Sequence, residues 1–154
     1  MGISDYKTKK IMNRLTHSTK PTKEKQINRN WHLIDVSGKV LGRIAPQIVK
    51  LVQGKNKTDY VPNLDIGDHV VVINASKVRV TGKKVLSKEY TNYSGYPGGL
   101  RKINFADLLK KDSREIIKRA VSGMLQKNKF RSDRLNRVHV FPNAEHTFAN
   151  KFVK

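Results

Sequence analysis

From His69 to Asn74 the chain reads His-Val-Val-Val-Ile-Asn, four β-branched residues in succession with no polar residue alternating among them. A strand of that kind has no face to offer to water, so it belongs inside a parallel sheet with cover on both sides. The residues before it supply the neighbouring pieces. Trp31-His-Leu-Ile-Asp-Val36 is a second β-type run, closed by the turn pair Ser37-Gly38. Leu41, Ile44, Ala45, Ile48, Val49 and Val52 then recur at three- and four-residue spacing, the period of a helix with one buried stripe. Pro46 belongs near the first turn of that helix, where a missing N–H costs least, and Gly54 is its C-terminal stop. Strand, helix and buried strand in this order make a right-handed βαβ unit.

The second half is less regular. Lys77-Val-Arg-Val-Thr81 alternates polar with apolar, as a half-exposed strand does, and runs into the basic turn Gly82-Lys-Lys84. Residues 88–101 are rich in Tyr, Gly and Pro and read as a long ordered loop or irregular extension. Residues 104–111 form a short helix, and Ser113 opens another whose buried stripe is Ile116, Ile117, Ala120, Val121, Met124 and Leu125, with Glu115 placed to favour its dipole. Residues 138–141 make a last short strand. The order of elements predicts an α/β domain of three layers around a small parallel sheet, with no internal repeat.

At 154 residues the length suits one such domain. Its charge is less ordinary: 32 Lys+Arg face 12 Asp+Glu, a net +20. Residues 1–30 hold eight cations and two acids, residues 31–76 five and four, and residues 77–154 nineteen and six. The excess thus lies in a basic leader expected to be extended (1–29 in the expected division) and in the later part of a single domain over 30–154. Such segregation points to a nucleic-acid partner, because an ordinary surface mixes both signs. There is no apolar run of about 18 residues to span a membrane and no 7–15-residue apolar stretch near the start to serve as a secretory signal. With no Cys, thiolate metal sites and Cys nucleophiles are excluded, and a reducing compartment fits. The leader is Lys-rich, unlike an Arg-rich mitochondrial transit peptide.

Three basic segments are candidates for an RNA-binding surface. The first comprises Lys83, Lys84 and Lys88, then Tyr90, Tyr93 and Tyr96, then Arg101 and Lys102. Cations neutralise phosphates while Tyr rings stack on unpaired bases, and the interleaved glycines allow close backbone approach. The second comprises Lys127, Lys129, Arg131, Arg134 and Arg137, the arginines forming one ridge if the stretch is helical. The third is Arg43 at the start of the first helix with Lys55 and Lys57 after its end, where cations also complement the helix dipole.

Enzymatic readings find less support. Gly38-Lys-Val-Leu-Gly-Arg43 follows a strand and opens a helix, yet it matches neither the dinucleotide fingerprint nor the P-loop. Asp65, Asp68 and His69 offer two carboxylates and an imidazole within five residues, the groups of a metal-dependent nuclease. The competing reading is a turn ahead of the strand with its carboxylates satisfied internally. The five His residues lack metal-ligand spacing, and no Ser sits in a nucleophile-elbow context. A nonspecific nucleic-acid-binding protein is the remaining alternative.

In chain order stand Trp31-His-Leu-Ile-Asp-Val, Gly38-Lys-Val-Leu-Gly-Arg, Gly54-Lys-Asn-Lys, Asp65-Ile-Gly-Asp, Val72-Ile-Asn-Ala, Val80-Thr-Gly-Lys, Gly95-Tyr-Pro-Gly-Gly and Ala120-Val-Ser-Gly-Met-Leu. Together they closely resemble the bacterial type of the ribosomal protein L13 family over about residues 28–150. The resemblance implies a three-layer α/β/α fold around a mainly parallel four-stranded sheet with basic extensions. It implies a structural constituent of the large ribosomal subunit that binds and organises large-subunit rRNA during assembly, beside neighbouring large-subunit proteins. It further implies no enzymatic role, no cofactor, no small-molecule substrate and a place in the bacterial cytoplasm, an organellar ribosome being the alternative. Two stretches depart from the family pattern. Gly123-Met-Leu125 is followed by Gln126-Lys-Asn-Lys-Phe-Arg-Ser132, where relatives carry a Pro and a Gly, and Glu145-His-Thr-Phe148 replaces Glu-His-Pro-His.

Overall fold

The computed structural model describes residues 22–152. In chain order its elements are β1 (Trp31–Asp35), α1 (Leu41–Gln53), β2 (His69–Ile73), α2 (Lys84–Ser87), β3 (Glu89–Tyr93), β4 (Leu100–Asn104), α3 (Phe105–Lys111), α4 (Ser113–Met124), α5 (Arg131–Asn136) and β5 (Val138–Val140). Single 3-10 turns lie at Glu24–Gln26, Ala75–Lys77 and Ala149–Lys151. Most of the basic leader, residues 1–21, falls outside the described residues. Its end is tied to the body: Lys57 donates to the Asn28 carbonyl, and the Asn30 N–H donates to Asp68.

The main sheet has the order β1-β2-β5 and is parallel throughout, so the chain is an α/β protein with a small parallel sheet. The all-apolar run is its middle strand, and Val70, Val71 and Val72 have no exposed surface. Alternation sends Val70 and Val72 to one face, where they meet Val36, Val138 and Val140 and the buried stripe of α1 (Leu41, Ile44, Ile48, Val49, Val52). Phe105 and Leu108 of α3 and Ile116, Ile117 and Val121 of α4 close the same core. Each such side chain contributes about 1.5–3 kcal/mol by leaving water.

Three local expectations are corrected. Pro46 is the sixth residue of α1, beyond its first turn. The N–H it lacks would have bonded the Gly42 carbonyl, and both residues lie on the exposed side of the helix, where water can satisfy that carbonyl. Residues 77–81 supply a single parallel bridge, Val40 with Arg79, in place of a strand. The 3-10 turn before it and Gly82 at φ +66° after it leave only a short extended piece, which docks through Leu41 N–H to Arg79 O (2.8 Å) and Arg79 N–H to Lys39 O (3.0 Å). The supposed loop over 88–101 is largely an antiparallel hairpin, β3 pairing Glu89–Tyr93 with Asn104–Leu100 of β4. Its strands face water on nearly every residue, so no apolar alternation announces them. Gly95 (φ +87°) and Gly98 (φ +71°) form the bend.

The opposite face of the sheet carries a cluster of aromatic rings, joined by Phe148 and Phe152 on either side of the Ala149–Lys151 turn. Trp31 stacks on His69 (4.3 Å between centroids) and lies 5.6 Å from His139, while Phe148 closes over Trp31 and His139. His69 Nδ1 and His139 Nε2 are buried without a partner among the described residues. Burial holds both imidazoles below the ordinary His range; for His69 the neighbouring His139, Arg137 and Arg29 add to this against Asp68, and for His139 Lys118 does. The unfolded chain therefore takes up protons on these rings before the folded one does, and stability falls with pH from about 6.5 downward until the folded rings also protonate. The expected outcome is a lower urea midpoint at pH 5.5 than at pH 7.5. In a His69→Gln/His139→Gln variant that difference should shrink, and an undiminished difference would place the titration elsewhere.

Candidate nucleic-acid interface

The loop from Asp65 to Asp68 is the internal anchor of the basic segments. Asp65 accepts from Arg134 Nε (3.1 Å) and Arg137 Nη2 (2.5 Å), although it is 69 and 72 residues away in sequence. Arg134 is 1% exposed and Arg137 8%. Gly67 is required between the two aspartates: a Cβ there would lie 1.7 Å from the Val52 carbonyl oxygen, so the loop can run against the end of α1 only without a side chain. Asp68 is bonded by Lys57 Nζ (2.5 Å), by the Asn30 N–H and by His32 Nε2 (3.0 Å). Burial alone would raise its carboxyl, but these hydrogen bonds outweigh burial and hold it below the usual aspartate value.

Several candidate contact residues are consequently occupied inside the protein. Arg134 and Arg137 are not on a solvent-facing ridge; the ridge expected from their spacing turns inward because Asp65 waits there. Arg131 donates to the Ser122 carbonyl (2.9 Å) and hydroxyl (2.7 Å). Lys57, read as a surface cation, spends its ammonium on Asp68 and on the carbonyls of Asn28 and Ile66. Tyr90 is half-buried, stacked near Phe105, with Lys88 Nζ 5.2 Å and the Arg119 guanidinium 5.3 Å from its ring centre. Burial raises its hydroxyl above the ordinary Tyr value, against the lowering effect of Arg119.

The remaining candidates face water. Arg43, Lys55, Lys83, Lys84, Lys88, Arg101, Lys102, Lys127 and Lys129 are exposed, as are the rings of Tyr93 (62%) and Tyr96 (75%). Among them only Lys102 pairs with a carboxylate among the described residues, with Glu89 at 3.3 Å on the exposed hairpin, a weak contact in water. Tyr93, Tyr96, Arg101 and Lys102 all ride on the hairpin. Arg43, Lys84 and Lys88 gather around the start of α1. Arg119 belongs with this last group and was missed, since a cation four residues after Glu115 on a helix reads as a local pair, which it also is (2.6 Å).

The carboxylates that suggested a nuclease are thus consumed by structural cations, and no group of three His, Cys, Asp or Glu among the described residues is placed to hold a metal ion. The sequence profile described as Ribosomal protein L13 matches residues 29–147. The chain belongs to the ribosomal protein L13 family. That family is structural, not enzymatic. The Asp65–Asp68 loop and the segment it anchors lie within the matched span. Among curated relatives, the large ribosomal subunit protein uL13 of Syntrophotalea carbinolica is 46% identical over 132 residues, 86% of this chain and 93% of that protein. The protein of the same name from Clostridioides difficile is 46% identical over 127 residues, covering 82% and 89%. That from Caldanaerobacter subterraneus is 48% identical over 124 residues, covering 80% and 87%.

Removing one partner from a buried ion pair strands the other charge, at about 3–5 kcal/mol. Asp65→Ala should lower the unfolding free energy by about 3 kcal/mol in urea titrations. A variant within 0.5 kcal/mol of the parent, roughly the spread of neutral surface changes, would show that the two arginines find solvent easily.

Proposed function

We propose that this chain is a structural constituent of the large ribosomal subunit, holding large-subunit rRNA segments beside neighbouring ribosomal proteins during assembly. The observation that carries the reading is the division of labour among its cations. Those near carboxylates build the fold, and a larger set stands exposed with almost no acidic partner, in a chain whose family is ribosomal. The exposed set neutralises phosphates and releases counterions, while Tyr93 and Tyr96 offer free rings to unpaired bases. The proposed contacts are therefore the exposed cations with these two rings. Arg131, Arg134 and Arg137 act on RNA indirectly, by fixing the path between α4 and β5.

On this reading residues 30–154 form the single binding domain and residues 1–29 a basic arm that follows the RNA backbone. The family architecture of a three-layer, four-stranded sheet is kept as the expected fold, with the piece around Arg79 in the position of the fourth strand. The relatives are bacterial, which supports a bacterial ribosome and the cytoplasm as its place.

Two experiments test the proposal. In a sucrose gradient of native lysate after a high-salt wash, the chain should sediment with the large subunit; a peak left at the top of the gradient would overturn the reading. Lys83→Gln/Lys84→Gln/Lys88→Gln should flatten the slope of log affinity for large-subunit rRNA against log salt by about 2–3, at 0.7–0.9 per phosphate contact. An unchanged slope would remove these lysines from the interface. Equal affinity for rRNA and for duplex DNA would favour a nonspecific binder.

A further inference from the structure

Beside the start of α1 lies a cleft of about 490 Å³, bounded by α1, the basic turn before α2, the base of β3 and the last two turns of α4. Its volume falls in the range of small-ligand sites. Leu41, Val80 and Met124 give it an apolar floor, and Met124 is 45% exposed at the end of its helix. Arg43, Lys84, Lys88 and Arg119 surround that floor, and among the described residues no carboxylate lines it; Glu115 pairs with Arg119 but is not part of the lining. A lone phosphate would have no use for the floor, and an apolar ligand none for the cations. A flat base carrying a phosphate uses both.

Gly42 adds a second observation. It is the second residue of α1, with no positive φ and, among the described residues, nothing within 4 Å of the place its Cβ would occupy. Neither backbone geometry nor packing among the described residues calls for glycine there, and glycine is the poorest helix former after proline. It lines the cleft. Of the neighbouring amides, Leu41 N–H donates to Arg79 O, and those of Arg43 and Ile44 to Val40 O; that of Gly42 has no backbone acceptor among the described residues. The missing side chain keeps the cleft open and leaves this N–H accessible.

We propose that this cleft takes one unpaired nucleotide of a bound RNA, its base on the Leu41–Met124 floor beside Tyr90 and its phosphate among Arg43, Lys84 and the Gly42 N–H. The proposal rests on the RNA-binding reading and adds a single-nucleotide pocket to it. Met124 is the thioether best placed to report occupancy, as it can fit a flat ring and is held at the cleft floor.

The test uses the full chain with 13C-methyl methionine, the Met124 signal being assigned by its loss in Met124→Leu. Single-stranded hexaadenylate should shift the Met124 methyl, whereas a six-base-pair RNA duplex and inorganic pyrophosphate should not. Gly42→Leu, which fills the cleft and leaves every cation in place, should bind hexaadenylate roughly tenfold more weakly while keeping duplex affinity within twofold and melting no lower than the parent. If Gly42→Leu binds hexaadenylate like the parent, the pocket is wrong and RNA binding stands. If adenosine monophosphate shifts Met124 at concentrations as low as hexaadenylate does, the site serves a free nucleotide and the RNA assignment falls. If neither RNA form binds the parent chain, the functional reading fails along with the pocket.

Discussion

One carboxylate, that of Asp65, decides which basic residues of this chain are structure and which are surface. By taking Arg134 and Arg137 into the interior it fixes α5 and the entry to β5 against the loop that precedes β2. Two charges are bought out of water only because the carboxylate meets both guanidinium groups directly. Asp68, three residues on, accepts from Lys57 and bonds His32 and the Asn30 N–H, so the end of the leader is held by the same short loop. Gly67 between them lets that loop pass within contact of α1. In a chain of net +20, four ionisable side chains are drawn to these two aspartates: Arg134, Arg137, Lys57 and His32. The acids are few, and these two are placed where each meets more than one neighbour.

The core was legible because its signals are local and strong. Four β-branched residues in a row could only be a middle strand, and the stripe from Leu41 to Val52 matches the buried face of α1 residue for residue. For α4 the expected stripe holds at Ile116, Ile117 and Val121 and at Leu125 just after it, but Ala120 is only partly buried and Met124, expected inside, is 45% exposed where the helix ends beside a cleft. At its start Asp112 accepts the Arg114 N–H (3.0 Å), a role that falls one residue before the Ser113 expected to open the helix. The hairpin was not legible, since an antiparallel pair bathed in water on both faces has no hydrophobic alternation to display. The expected strand over 77–81 shrank to one bridge because alternation reports exposure and says nothing of how many residues find a neighbour.

The candidate site divides along the same line. Charge alone foretold that cations such as Lys83, Lys84 and Lys127 stand exposed, and among the described residues no carboxylate pairs with them. Arg134 and Arg137 were misplaced because their partner lies about 70 residues upstream, and spacing along a helix carries no information about so distant a carboxylate. The aspartates themselves looked like chemistry for the same reason. Two acids and a histidine in five residues are indistinguishable from a metal site until the cations that fill them are seen.

The β3–β4 hairpin carries most of its rings and charges beyond the reach of the hydrophobic core; among the described residues, Tyr90 at its base is the hairpin side chain packed against that core. Two strands without a packed face have little cohesion of their own. If the proposed contacts of Tyr93, Tyr96, Arg101 and Lys102 are made, the free energy of holding the hairpin still is drawn from the binding step. On that proposal the core is complete before the chain meets RNA, and the hairpin is the part that settles last.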